Sequence, residues 1–343
     1  MHMTRQTPAT ALGLTASVVS TAAVRRRARR GATWAELRQL WNFIARTVLA
    51  GLVAATGIAA PGIAATATAP LPSSLSEIES AAPADAWRDV ALENLLLLDT
   101  ARGTLTIELA PNFAPAHVAA IRALVRAEAF AGGAVTRVQD NYVVQWGTRA
   151  AVATAAPPAT AATGPELPAE YERPAAGTAF TPLPYPDAYA ARAGFSDGWP
   201  VASDGAATWL VHCYAMVGAG RDNPPSTGDG SELYAVIGHA PRHLDRNMAV
   251  VGRVIDGLSP LAALPRGTEA LGFYKTPAER LPITAARLAA DTPGAPRWQV
   301  MRTASPTFAA LIAARANRHE PFFLRPANGV DVCNVRIPVR RRP

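Results

Sequence analysis

Two cysteines in 343 residues, no internal repeat, and no glycine-rich turn with a Lys or Ser at phosphate-loop spacing mark this chain by what it lacks. These absences exclude a disulfide-knotted miniprotein, a solenoid or propeller, and a P-loop nucleotide enzyme. Metal-ligand patterns are wanting too. His239 and His243 are separated by Ala240, Pro241 and Arg242, which is not a helical spacing, and no Cys or His cluster joins them or His212, so no metal is expected. Acids are nearly missing from the first 69 residues, which carry eight arginines against Glu36 alone. The whole net charge of +7 therefore sits in that segment and the rest is neutral, which argues against a nucleic-acid partner.

A long unbroken apolar run is also absent. Val48 to Ala65 is weakly apolar and interrupted by Gly57, Pro61 and Gly62, so it is a poor permanent membrane helix. Arginines precede it and the small residues Ala65-Thr66-Ala67 follow, the order of an export signal. Residues 1–69 are read as a signal or targeting segment, removed or left as an anchor. The processed protein is then expected to be periplasmic or secreted, with no stable membrane insertion. In an oxidising compartment Cys213 and Cys333 are expected to pair and to staple the tail to the middle of the chain; two unrelated free thiols are the alternative.

With 30 prolines and 25 glycines the remainder suggests one core with irregular attachments. Residues 70–91, rich in Pro, Ser and Ala, read as a linker. Leu95 to Leu98 and Leu105 to Leu109 flank Arg102-Gly103 and predict a hairpin. Pro115 opens a helix whose buried face is Val118, Ile121, Leu124 and Val125. Periodicity fades over 150–209, a Pro-rich stretch whose aromatics Tyr171, Phe180, Tyr185 and Tyr189 predict an ordered insertion, with disorder as the alternative. Strands resume at Thr208–Val217, Ser231–Ile237 and Val250–Ile255, and Ile283–Ala289 reads as the last one. Residues 292–343 form an extension, with Ser305 as a helix N-cap, an apolar face of Phe308, Leu311 and Ile312, and an edge strand marked by Val332, Val335, Ile337 and Val339.

The stretch VTRVQDNYVVQWG, residues 135–147, puts Arg137 and Gln145 into two apolar strands joined by a polar turn. Alternation places Val135 and Arg137 on one face, with Thr136 and Val138 on the other. Past the turn, Val143 and Gln145 share a face opposite Tyr142, Val144 and Trp146. A hairpin can bring the guanidinium and the amide together. Two polar side chains on a solvent-facing sheet would look the same.

Three collinear segments decide between these readings. TARGTLTIELAPNFAP with the helix behind it, RVQDNYVVQWG, and GSELYAVIGHAPRHLDRNMAVVGRVIDGL together resemble a cyclophilin, from about Leu92 to Asp291. The resemblance implies a mainly β fold, a closed eight-stranded antiparallel barrel with two capping helices, here with a 150–209 insertion and a 292–343 extension. It also implies a peptidyl-prolyl cis-trans isomerase without cofactor, monomeric, acting on proline-containing polypeptides. A catalytically weak binding module for such peptides is the alternative. Carried over by position, the catalytic residues are Arg137, Gln145 and Tyr142. The proline seat is Tyr142, Met216, Tyr234 and Leu244, with Val143 at its edge, and Gly218 and Glu232 meet the peptide backbone. His243 and Met248 complete the substrate-binding set. The chain departs from the family's usual residues at four of these positions: Gly218 replaces Asn, Glu232 replaces Gln, His243 replaces Trp and Met248 replaces His.

Overall fold

The computed structural model describes residues 74–153 and 167–342; the 1–69 segment read as an export signal, and residues 154–166 of the insertion, lie outside them. In chain order the elements are α1 (Leu75–Ser80), β1 (Trp87–Asp89), β2 (Leu95–Thr100), β3 (Gly103–Leu109), α2 (Pro115–Arg126), β4 (Ala134–Val138), β5 (Val143–Gly147), α3 (Arg149–Ala153), β6 (Arg173–Pro174), β7 (Thr181–Pro182), β8 (Arg192–Ser196), β9 (Trp199–Ser203), β10 (Ala207–Leu210), β11 (Met216–Ala219), β12 (Glu232–Val236), β13 (Val250–Asp256), α4 (Leu258–Ala262), β14 (Leu281–Leu288), β15 (Trp298–Met301), α5 (Pro306–Ala316) and β16 (Val339–Arg341).

Eight strands close into a barrel in the order β11-β12-β5-β4-β14-β2-β3-β13, every neighbouring pair antiparallel. The run Leu95 to Leu98 is apolar without alternation because both faces of β2 are covered. Leu96 and Leu98 join the barrel interior with Leu105, Ile107, Val144 and Trp146, whereas Leu95 belongs to an outer core with Trp199, Trp209 and Trp298. Helix α2 lays Val118, Ile121 and Val125 into the interior core; Leu124 is only partly buried. Its first turn has no cap of its own. Glu170, from the insertion, accepts the backbone N–H of Ala116 at 2.8 Å and of His117 at 3.0 Å, placing a carboxylate where the helix N-terminus favours negative charge.

The segment read as a linker is folded from Ser74 onward. Ser74 and Glu77 form a reciprocal capping box on α1. Trp87–Asp89 then pairs with β15, whose other edge takes β16. The linker reading rested on Pro, Ser and Ala content and overlooked that Ile78, Ala86, Trp87 and Val90 are apolar enough to be buried. The C-terminal edge strand is Val339–Arg341; Val332 sits in a short 3-10 turn instead. Ser305 caps α5 through the Phe308 N–H, and Phe308, Leu311 and Ile312 are buried. Cys213 and Cys333 are bonded, with Cα atoms 4.9 Å apart.

From residue 167 the insertion is ordered as a five-stranded sheet, β6-β10-β9-β8-β7. Thr208 therefore belongs to the insertion's sheet rather than to the barrel. The β8–β9 turn, Asp197-Gly198, has positive φ at both residues, 46° and 87°, the backbone twist a two-residue hairpin needs. Gly194-Phe195-Ser196-Asp197-Gly198 spells a Gly-x-Ser-x-Gly nucleophile motif, but it forms this hairpin and not a strand-to-helix elbow, and Ser196 is buried in it. Insertion, barrel and terminal strand meet at one buried network. Arg253 donates to Glu108 from Nε at 3.0 Å and Nη2 at 2.7 Å, and to the Gly198 carbonyl at 2.6 Å. Arg88 of β1 donates to the other Glu108 oxygen at 2.7 Å.

Candidate active site

Four adjacent barrel strands set four residues in one row. Arg137 on β4 is the register partner of Gln145 on β5, Gln145 of Tyr234 on β12, and Tyr234 of Gly218 on β11. Simple alternation does not hold in β4. Val135 and Val138 both enter the barrel interior, and the pairing register shifts between Val135 and Arg137. An irregularity of this kind re-aims a side chain, here turning Arg137 onto the outer surface beside Gln145. Tyr142 departs from its expected face for a related reason. It precedes β5, in a turn where Asn141 has φ 49°, and so lies with Arg137 instead of Val144 and Trp146.

The guanidinium of Arg137 is held on three sides. Nη1 donates to Gln145 Oε1 at 3.2 Å, Nε to the Leu271 carbonyl at 2.6 Å, and Nη2 to Gln139. Its carbon lies 5.6 Å from the Tyr142 ring centroid and 5.4 Å from that of Phe273. Burial lowers the Arg137 pKa, an effect opposed by Tyr142, Glu232 and Tyr234. Leu271 holds its carbonyl at this place with φ 60°, a left-handed conformation unusual for leucine. Gln139, Leu271 and Phe273 were not singled out by the sequence. Gln139 read as turn chemistry, and nothing local marks a loop more than a hundred residues away as a neighbour of Arg137.

Around this centre the other expected residues divide. The Tyr142 and His243 rings are parallel within 3°, with Tyr142 Oη 3.4 Å from His243 Nε2. Tyr234 is 3 % exposed, and its hydroxyl lies 2.9 Å from His212 Nε2. Burial pushes the Tyr234 phenol well above its ordinary value, and pushes Tyr142 up as well. Gly218 is required by this packing: a Cβ there would lie 2.2 Å from the Tyr234 hydroxyl oxygen. Glu232, two residues before Tyr234, has its carboxyl raised to about 7 by burial first and by Asp229 second, with Arg137 opposing. Val143 is buried beneath the site, and Leu244 and Met248 are half-buried. Met216 is drawn elsewhere, into the outer core, where it lines a cavity of about 430 Å³ beside the Cys213–Cys333 bond.

Residues 95–287 match the family described as cyclophilin type peptidyl-prolyl cis-trans isomerase/CLD. Relatives in Brucella suis biovar 1 and Brucella melitensis biotype 1, each named "Probable peptidyl-prolyl cis-trans isomerase", are 26% identical over 226 residues, covering 64% of this chain and 91% of theirs. The crystal structure of cyclophilin AquaCyp293 from Hirschia baltica superposes with a TM-score of 0.59 at 26% identity, over 74% of this chain and 93% of that one. With the closed eight-stranded barrel and a family match spanning more than half of its length, the chain belongs to the cyclophilin-type peptidyl-prolyl cis-trans isomerases.

Proposed function

We propose that this enzyme accelerates rotation about X-Pro bonds in exported polypeptides, with Arg137 as its catalytic donor. The observation that carries this reading is the row Arg137, Gln145, Tyr234, Gly218, in which a fixed cation adjoins an aromatic wall. Amide resonance sets a barrier of about 18 to 20 kcal/mol to the rotation. As the bond twists, the prolyl nitrogen pyramidalises and its lone pair becomes an acceptor. A guanidinium aimed there stabilises the twisted amide and hardly touches the planar one, so it lowers the barrier without nucleophile or cofactor. Gln145, Gln139 and the Leu271 carbonyl keep that cation from swinging away. Tyr142, Val143, Tyr234 and Leu244 form the seat for the proline ring in this reading, and Gly218, Glu232 and His243 border the flanking peptide.

A protease-free isomerisation assay on an X-Pro peptide tests the mechanism. Arg137→Ala is expected to lower kcat/KM by about a hundredfold or more, the usual loss of a donor at developing charge. Equal rates for the two proteins overturn the assignment. A second reading, a peptide-binding module with little turnover, is supported by the Tyr142–His243 contact and by Glu232, and a wild-type rate no faster than the uncatalysed one would favour it. Export to the periplasm or beyond is tested by the N-terminus of the cell-derived protein. A start near residues 66 to 70 is expected, and an intact residue 1 in the cytoplasm overturns it.

A further inference from the structure

The Tyr234 hydroxyl is one end of a chain of buried polar groups that leaves the site and ends in the insertion. His212 Nε2 meets the hydroxyl at 2.9 Å, and His212 Nδ1 meets Asp245 Oδ1 at 3.0 Å. Arg242 Nε donates to the second Asp245 oxygen at 2.6 Å. The far side of the guanidinium forms a two-pronged pair with Asp187, Nη1 to Oδ2 at 2.8 Å and Nη2 to Oδ1 at 3.0 Å. The side chains of Asp187, Arg242, Asp245 and His212 are 2 %, 3 %, 7 % and 1 % exposed. An ionised carboxylate only accepts, so His212 Nδ1 and Arg242 both donate to Asp245, and Arg242 also donates to Asp187.

Four members come from the barrel segments, and Asp187 alone comes from the insertion. Burying two carboxylates and a guanidinium is a poor way to gain stability, because apolar side chains of similar volume serve as well. What such a chain supplies is angular definition. It bears on a ring with little slack, since the hydroxyl end of Tyr234 lies against Gly218 with no room for a Cβ. Burial pushes the Asp187 carboxyl up, but Arg242 and the Tyr189 and Ala190 amides outweigh this and keep it below its ordinary value. Tyr189, also of the insertion, lies with its ring centroid 4.9 Å from the Arg242 guanidinium carbon.

We propose that Asp187 is a positioning residue for the proline seat, fixing the ring of Tyr234 through Arg242, Asp245 and His212, so that the insertion sets how the enzyme grips its substrate. This rests on the isomerase reading above, and a double-mutant cycle on the full chain separates the two. In the X-Pro peptide assay, Asp187→Asn is expected to lower kcat/KM by about three- to tenfold, mainly through KM, the range for residues acting through a coupled network. In a Tyr234→Phe background the same change is expected to cost less than about twofold, because the ring is already released from His212. Arg246→Ala, which cuts exposed ion pairs from the same turn to Glu172 and Asp204 of the insertion, is expected to leave kcat/KM unchanged in both backgrounds. If Asp187→Asn does not fold, Tyr189→Ala removes an exposed ring over Arg242 and is expected to give the same coupling with a smaller loss. Equal fold losses with and without the tyrosine hydroxyl overturn the proposal, as does an Arg246→Ala loss that matches that of Asp187→Asn. A wild type without isomerase activity overturns the parent reading, and this one with it.

Discussion

Glutamate at position 232 makes a quantitative prediction possible. Its carboxyl titrates at about 7 in the folded protein, against 4.5 for the free group, chiefly because burial penalises the anion. A folded-state value above the unfolded one means that the folded protein holds this proton more tightly. Stability from this group is therefore greatest at low pH, declines as pH rises from about 4.5 toward 7, and is flat above that. The displacement corresponds to about 3 kcal/mol above pH 8 and to about 1 kcal/mol at pH 5. Glu232→Gln removes the charge and keeps the shape, so relative to wild type it should gain about 2 kcal/mol between pH 5 and pH 8.5. Urea unfolding of both proteins at the two pH values, with m-values compared, measures the difference. Taking the difference between the two conditions cancels whatever the Gln amide gains or loses by its own hydrogen bonds. An offset between the proteins that does not change with pH would refute the reasoning, and so would one that moves toward wild type as pH rises.

Gly218→Ala forces the Tyr234 ring off His212, because the added methyl would lie 2.2 Å from the hydroxyl oxygen. A loss of about 1 to 3 kcal/mol in stability is expected from denaturant unfolding, with a raised peptide KM. Arg253→Met leaves a buried Glu108 oxygen and the Gly198 carbonyl without their donor and is expected to cost about 3 to 5 kcal/mol, read from the same unfolding curves. Cutting the Cys213–Cys333 link, which spans a sequence separation of 120, should lower unfolding stability by about 5 kcal/mol in the chain-entropy account. Cys333→Ala compared with wild type under oxidising conditions measures it.

The barrel was legible because its signals are local or repeated. The Leu95–Leu109 hairpin follows from two apolar runs around a turn, and α2 from a proline entry and a single apolar face. Arg137 and Gln145 were legible as a pair because eight positions across a tight turn can face each other, and they are register partners. The supports of Arg137 were not. Leu271 contributes only a carbonyl, which any residue carries, and its left-handed φ is imposed by the surrounding loop. The faces of Val135 and Tyr142 were misread for one reason: alternation assumes an unbroken ladder, and both lie where the ladder is interrupted. Composition misled at residues 70–91 and hid the strands of the insertion, whose Trp199 and Trp209 share an outer core with the distant Trp87 and Trp298. Glu170 and Asp187 are ordinary acids in a Pro-rich stretch. Only the fold puts one at a helix end and the other opposite Arg242.

Among the described residues Trp87–Asp89 finds its partner strand in Trp298–Met301, and β2 closes the barrel against β14. A ribosome therefore releases the first strands long before the residues that seal them exist. Throughout elongation the nascent polypeptide carries open edges and bare tryptophan faces that could be captured by any stray strand. Completion is a matter of the final segments arriving, so a premature stop before β14 leaves the barrel unclosed, and one between β14 and β15 leaves Trp87–Asp89 without its partner strand.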